Sequence, residues 1–283
     1  MPQYAAAACS LWLFRVYHQC QQSAAEKRSE ISPNEKWQAG RELEKREAYL
    51  VMVLEVIAAC MEDALTAEAN GADRLELVTA ITEGGLTPGI GLVEQVVRAV
   101  SIPVFVMVRP HSRSFVYSGH DILTMAAEIR AIAASGAAGI VLGALTSKGR
   151  IDEPAMEVLL PLADGLQVTF HRAFDELMDQ ADGLRTLGQY PQITRVLTSA
   201  GPGSAMEAIP AIRRLVEASQ GGSVNILAGS GLKPHGIKAF IEQTGVKEVH
   251  FGSGVRYGNS PLSPIDPVVL RALADSLRTA GGY

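Results

Sequence analysis

Aromatic residues are scarce in this chain, 6% of 283 residues, and cysteine is almost missing, with only Cys9, Cys20 and Cys60. Three cysteines in unlike contexts supply no disulfide framework, so packing must hold the fold, and such usage fits a reducing compartment. Basic charge is also short. Lys+Arg number 25 against 30 Asp+Glu, a formal net charge of −5, which leaves no basic face to recruit nucleic acid or anionic lipid. No stretch reaches the ~18 apolar residues of a membrane helix. The best candidate, Ala5 to Phe14, is short and runs into Arg15. With no basic segment ahead of it and no small-residue cleavage site behind, it does not read as a secretory signal. Ala, Val, Leu, Ile and Gly dominate a 47% hydrophobic fraction. That is the composition of a parallel sheet covered by close-packed helices.

Residues 1–50 read as an N-terminal extension, partly helical or disordered, because residues 21–50 are rich in Glu, Lys, Arg, Gln and Ser. Met52 directly precedes the first strand, so an added arm and an over-extended upstream start are both open. From residue 51 to 283, short apolar runs alternate with segments of helical period. Strands are expected at Val53–Ala58, Arg74–Thr79, Pro103–Arg109, Gly139–Leu145, Leu166–Arg172, Arg195–Ser199, Val224–Ala228 and Glu248–Gly252. Helical patterns between them include Met61–Asn70, Leu92–Val100, Ile122–Ser135 and Pro234–Thr244, and Pro267–Thr279 follows the last strand. Eight strand–helix units at this length specify a single-domain α/β fold, a (β/α)8 TIM-type barrel, ahead of an open doubly wound sheet. Its functional site is expected at the carboxyl ends of the strands.

Side chains alternate along a strand, so residues two apart share a face. Glu55 falls in phase with Val53 and Ile57, Glu76 with Arg74 and Val78, Arg109 with Phe105 and Met107, and His171 with Gln167 and Thr169. Barrel interiors are normally filled by Val, Ile and Leu, and a carboxylate there is costly unless paired. These four groups therefore read as one polar cluster at the mouth, against the plainer alternative of a buried Glu55–Arg109 ion pair. In Thr169-Phe170-His171-Arg172-Ala173-Phe174-Asp175, His171 is a candidate metal ligand or proton carrier, Arg172 an anion clamp and Asp175 an orienting partner. His250, at the end of strand eight, is a weaker candidate of the same kind. Gly229-Ser230-Gly231 and Gly252-Ser253-Gly254 follow strands seven and eight, where barrels often cradle phosphate, though tight turns also demand glycine. Thr198 and Ser199 offer hydroxyls to the same rim.

Several strings carry a family likeness: Leu54-Glu55-Val56, Gly71 through Leu77, Glu83-Gly84-Gly85-Leu86-Thr87-Pro88, Val106 through Pro110, Phe115 through Ser118, Val168 through Asp175 and Arg195 through Ser199. In order, from about Val53 to Ser253, they resemble the CutC copper homeostasis family. The resemblance implies a cytoplasmic, commonly homodimeric barrel linked to copper tolerance, with Cu(I) as its ligand. Many members carry a cysteine directly after Leu-Glu-Val and another after the Glu-Leu of strand two. Ile57 and Val78 stand there instead, and neither can coordinate Cu(I), which prefers sulfur. Cys60, Met107 and His171 could form a substitute site. His111 and Ser114 replace the usual Arg and Asp of the loop after Arg109-Pro110. The glutamates, Arg109 and the His171–Asp175 string remain. An alternative expectation is therefore an enzyme of isomerase, aldolase or lyase type acting on a small anionic or phosphorylated metabolite. A barrel that only presents surfaces is the third reading, disfavoured because an idle barrel needs no charged interior.

Overall fold

The computed structural model describes residues 52–280. Strand and helix alternate throughout. β1 (Val53–Ala58) leads to α1 (Met61–Ala69), β2 (Arg74–Leu77) to α2 (Ile90–Ala99), and β3 (Val104–Met107) to α3 (Gly119–Ala134). β4 (Gly139–Leu142) precedes α4 (Glu153–Leu159), and β5 (Gln167–Phe170) precedes α5 (Gln180–Leu187). β6 (Ile193–Thr198), α6 (Ile209–Ser219), β7 (Asn225–Ala228), α7 (Ile237–Thr244), β8 (Glu248–Phe251) and α8 (Pro267–Ala280) complete the set. All neighbouring strands pair in parallel, and β8 closes on β1. This is the (β/α)8 barrel expected from the sequence. The reading of residues 1–50, with Cys9 and Cys20, lies outside the described residues.

Alternation along the strands divides the apolar from the polar. One set of positions, among them Leu54, Val56, Leu75, Leu77, Val104, Val106, Ile140, Leu142, Val168, Phe170, Val249 and Phe251, is buried against the helices in one large core. Each such side chain contributes ~1.5–3 kcal/mol by leaving water. The opposite set faces the barrel axis, where the buried apolar residues are a small cluster of Val78, Phe105, Met107 and Val141, with Leu197 and Leu227 on β6 and β7. Charged and hydrogen-bonding groups take up much of the remaining axis.

Most strands end earlier than the apolar runs suggest. β2 stops at Leu77 because Thr79 turns to pair antiparallel with Leu86, around a short turn at Ile81–Glu83. α3 starts three residues before the expected Ile122. Ser118 caps it: its hydroxyl accepts from Asp121 N–H, and the Asp121 carboxylate accepts from Ser118 N–H at 2.8 Å. This reciprocal cap satisfies donors that a helix start otherwise leaves open. A second pin lies near the mouth. Asp63, in the first turn of α1, accepts two bonds from Arg256 at 2.8 and 3.2 Å, and Arg256 also donates to the carbonyls of Ile57 and Ser263. The segment after β8 is thereby tied to the end of β1.

Candidate functional site

A cavity of about 530 Å³ opens at the carboxyl ends of the strands. Small-molecule sites usually fall in this size range. Glu76 and His250 line it together with Ile57, Val78, Met107 and Leu197, and Arg109, His171, Arg172 and Asp175 line it from the loops above. Glu55 lies behind His250, fully buried and not on the cavity wall.

The register explains why Glu55, Glu76 and His250 meet. Glu55 is level with Arg74 of β2 on one side and His250 of β8 on the other. His250 Nδ1 lies 2.7 Å from Glu55 Oε1, and its Nε2 lies 3.8 Å from Glu76 Oε2. Arg74 donates Nε to Glu55 and Nη2 to Glu248 at 2.6 Å. Arg195 reaches Glu248 at 3.2 Å and Gln167 at 2.8 Å. Both guanidinium groups lie over the Phe105 ring, at 5.3 and 4.7 Å from its centre. Three cations and three carboxylates thus balance along the axis when His250 is charged and Glu76 ionised.

Burial alone would raise the Glu55 carboxyl, but Arg74 and then His250 more than offset it and hold Glu55 well below the ordinary carboxylate range. Glu76 lacks so close a cation, and burial pushes it up to about 7 despite the opposing pull of His250. Burial would lower His250, yet Glu76 and Glu55 together raise it above its usual value. His171 goes the other way, lowered to about 3 by burial and then by the Arg109 charge.

His171 also has a fixed tautomer. Its Nδ1 accepts the backbone N–H of Ala173 at 3.1 Å, which leaves the ring proton on Nε2. Gly143 makes room for the ring: a Cβ there would stand 2.7 Å from Nδ1. Nε2 is buried without a partner, as are Glu76 Oε1 and Arg109 Nε. Phe115, from the loop after β3, covers this group, 4.6 Å from the Arg109 guanidinium and 4.8 Å from the His171 ring centre.

The alternative of a Glu55–Arg109 ion pair does not hold: Glu55 pairs with Arg74 and His250. Among the described residues Arg109 has no ion pair, and its Nη1 donates to the carbonyls of Glu83 and Gly85 at 2.9 and 3.2 Å. The Glu83-Gly84-Gly85 string therefore braces Arg109. Arg172 and Asp175 bind each other at 2.8 Å. Asp175 orients the end of β6, not His171: it accepts from the Thr198 hydroxyl and from the Ser199 hydroxyl and backbone N–H. The Thr198 and Ser199 hydroxyls, expected as anion donors, are committed to this knot, and neither residue lines the cavity. Gly231 and Gly252 do line it; Gly229 does not. A Cβ at Gly229 would meet Leu197 at 2.5 Å and His250 at 3.1 Å, so close packing accounts for that glycine. Sequence reasoning missed Arg195 and Glu248 altogether and noted Arg74 only as a neighbour in phase.

Cu(I) fits this donor set poorly. Cys60 is exposed at the N-cap of α1 and off the cavity wall, so Met107 supplies the sulfur there by itself. His171 presents a proton where a metal needs a lone pair. Glu55, Glu76 and His250 offer ligand atoms within 4.8 Å of one another. Arg74 and the His250 proton already supply positive charge to that group, however, and oxygen and nitrogen are not the soft donors Cu(I) prefers.

The CutC family model matches residues 52–255. The chain belongs to the CutC family. It is 40% identical over 217 residues to the human copper homeostasis protein cutC homolog, an alignment covering 75% of this chain and 79% of that protein. The crystal structure of the putative copper homeostasis protein CutC from Streptococcus agalactiae superposes with a TM-score of 0.66 at 30% identity, covering 70% of this chain and 97% of that one. N-(5'-phosphoribosyl)anthranilate isomerase from Pyrococcus furiosus superposes at 0.54 with 14% identity, covering 81% and 99%, a likeness of fold alone. Among the described residues no helix is long and apolar enough to cross a membrane.

The histidines supply a direct check. In 15N-histidine spectra of the full chain, His171 is expected to stay neutral, with its proton on Nε2, until the pH nears 3. Unfolded imidazole takes up a proton at ordinary pKa, so His171 costs the fold stability as pH falls from 6.5 towards 3. His250 should be charged at a pH where free histidine is neutral. Its contribution is lost as pH rises through its folded pKa. An His171 signal titrating near 6.5 would refute the assignment.

Proposed function

We propose that this chain works in copper homeostasis, the role that the names of its human, mouse and Streptococcus agalactiae relatives carry, through an enzyme-like site for a small anionic metabolite and not through Cu(I) resident at the mouth. The observation that carries this is that three residues lining one cavity, Glu76, Arg109 and His171, each hold a buried polar atom without a partner: Oε1, Nε and Nε2. Buried polar atoms are nearly always satisfied, so three orphans together mark a place for a ligand's own polar groups. Arg109, without an ion pair among the described residues, supplies positive charge, while Arg172 is paired with Asp175. Glu76 ionises near neutral pH, as a general acid–base should. The turns carrying Gly231 and Gly252 line the same wall. A homodimer in the reducing cytoplasm is the setting we infer, supported by the family likeness and by a free, exposed Cys60.

The test is thermal denaturation of the full chain with millimolar phosphate, small carboxylates and sugar phosphates. At a hundredfold excess over Kd, a ligand stabilises by ~2.7 kcal/mol, a shift of several degrees. The shift should vanish in His171→Ala. A ligand response that survives in His171→Ala, or none at all beside tight Cu(I) binding, overturns the reading.

A further inference from the structure

We propose that the site catalyses enolisation: Glu76 moves a proton between adjacent carbons of a small 2-hydroxyaldehyde or 2-hydroxyketone, while His171 Nε2–H holds the carbonyl oxygen. This rests on the reading of the cavity as an enzyme site for a small anionic ligand, and names its reaction and substrate class.

The two groups have complementary and unusual states. A carbonyl oxygen that gains charge during proton abstraction needs a hydrogen-bond donor aimed at it. The backbone N–H of Ala173 occupies His171 Nδ1 at 3.1 Å, so that ring can donate only from Nε2. Gly143 and Phe115 hem the ring on other sides, which fixes its direction. Glu76 stands on β2 and His171 just beyond β5, so they approach the ligand from different walls of the barrel.

Glu76 has one oxygen, Oε2, within ion-pair range of His250 Nε2 at 3.8 Å and the other, Oε1, buried without a partner. His250 is in turn fixed by Glu55 at 2.7 Å, and Glu55 by Arg74. His250 on β8, Glu55 on β1 and Arg74 on Glu76's own strand are the charged groups acting on Glu76. They set when it ionises; Arg74 and Glu55 do so from behind the cavity wall, whereas His250 lines it. Ile57, Val78 and Met107 line the wall beside it with apolar surface and limit water around the carboxylate.

The step balances within the substrate. Glu76 Oε1 takes the proton from the carbon bearing the hydroxyl. The C–H electron pair becomes the C=C bond of an enediol, and the former C=O π pair moves onto oxygen beneath the His171 N–H. The hydroxyl proton passes to that oxygen, Glu76 returns its proton to the neighbouring carbon, and the carbonyl re-forms where the hydroxyl was. Aldehyde and ketone interconvert with nothing oxidised or reduced overall. The cavity volume suits substrates of about three to six carbons, with or without a phosphate beside Arg109.

Solvent exchange tests this. The full chain is incubated in D2O with dihydroxyacetone, glyceraldehyde, erythrulose, dihydroxyacetone phosphate, ribose 5-phosphate and fructose 6-phosphate, and loss of the α-proton is followed by 1H NMR. At least one compound should exchange well above the buffer rate. Glu76→Gln, which mimics the neutral form that burial favours and so should fold, is expected to slow exchange by roughly 100-fold or more. Glu76→Asp should give a partial loss, and His171→Asn a loss of about 100-fold. The wild-type rate should rise with pH as Glu76 ionises. No exchange with any member, or exchange unchanged in Glu76→Gln, overturns the proposal. If the phosphorylated members raise the melting temperature without exchanging, enolisation falls and the anionic-ligand reading stands. If no compound exchanges and no phosphate, carboxylate or sugar phosphate raises the melting temperature, both fall.

Discussion

Replacing Arg74 with methionine should remove about 3–5 kcal/mol of stability at neutral pH, the scale of breaking a buried ion pair from one side. Folded domains hold only ~5–15 kcal/mol in total, so this single change should bring the barrel near its limit. The reason is the company Arg74 keeps. It bonds Glu55, which is fully buried, and Glu248, which is 6% exposed. Methionine fills similar volume and can keep contact with the Phe105 ring, so the loss isolates charge and hydrogen bonding from packing. The pH dependence has a defined sign. Arg74 holds the folded Glu55 pKa below the unfolded value of 4.5, so its contribution is present above pH 4.5 and lost as pH falls. The stability gap between wild type and Arg74→Met, measured by urea denaturation, should therefore be widest near neutrality and narrow in acid. A gap independent of pH would show that packing, not charge, is what Arg74 supplies. Adding Glu55→Gln to the variant should recover part of the loss by removing the stranded carboxylate.

That network also marks what could be read from the sequence and what could not. β1 runs from Val53 to Ala58, as its apolar alternation indicates. Period two alone places Glu55 and Glu76 on the barrel axis, because a one-residue slip would bury charge against the helices. The chemical partners are another matter. Glu55 and His250 are 195 residues apart and meet only because β8 closes on β1. Glu248 binds Arg74 and Arg195 only because the closed barrel brings β2 and β6 to the same level as β8 across its axis. Sequence spacing carries no trace of that closure, so the ion pair it offers as an alternative, Glu55–Arg109, is not the one that forms, which is Glu55–Arg74. Arg109 finds its partners through local chain geometry instead, in the carbonyls of the Gly-Gly turn. The α3 start was readable, since Ser118 and Asp121 have capping-box spacing, but aspartate in place of glutamate hid the signal.

The double variant Ile57→Cys/Val78→Cys should gain Cu(I) affinity by roughly a thousandfold over wild type, equivalent to ~4 kcal/mol. Both positions line the cavity on adjacent strands, and Met107 lines the same wall. Gly252 and Gly85 leave room behind them: a Cβ on either glycine would press on Ile57 at 2.9 Å or Val78 at 3.2 Å. Two thiolates added to one thioether would turn an apolar wall into a soft-metal pocket without touching Glu76 or His171. Competition against a coloured Cu(I) chelator reads the affinity, and each single cysteine should give only a small part of the gain. Wild type should compete weakly, and removing Cys60 as well should change nothing, because that thiol lies off the cavity wall. If wild type already competes as strongly as the double variant, the tautomer and donor arguments against resident Cu(I) are wrong, and the mouth holds metal by means other than sulfur. If only the double variant competes, the two substitutions at positions 57 and 78 account for the difference, and the ionisable groups beneath them are left with acid–base work.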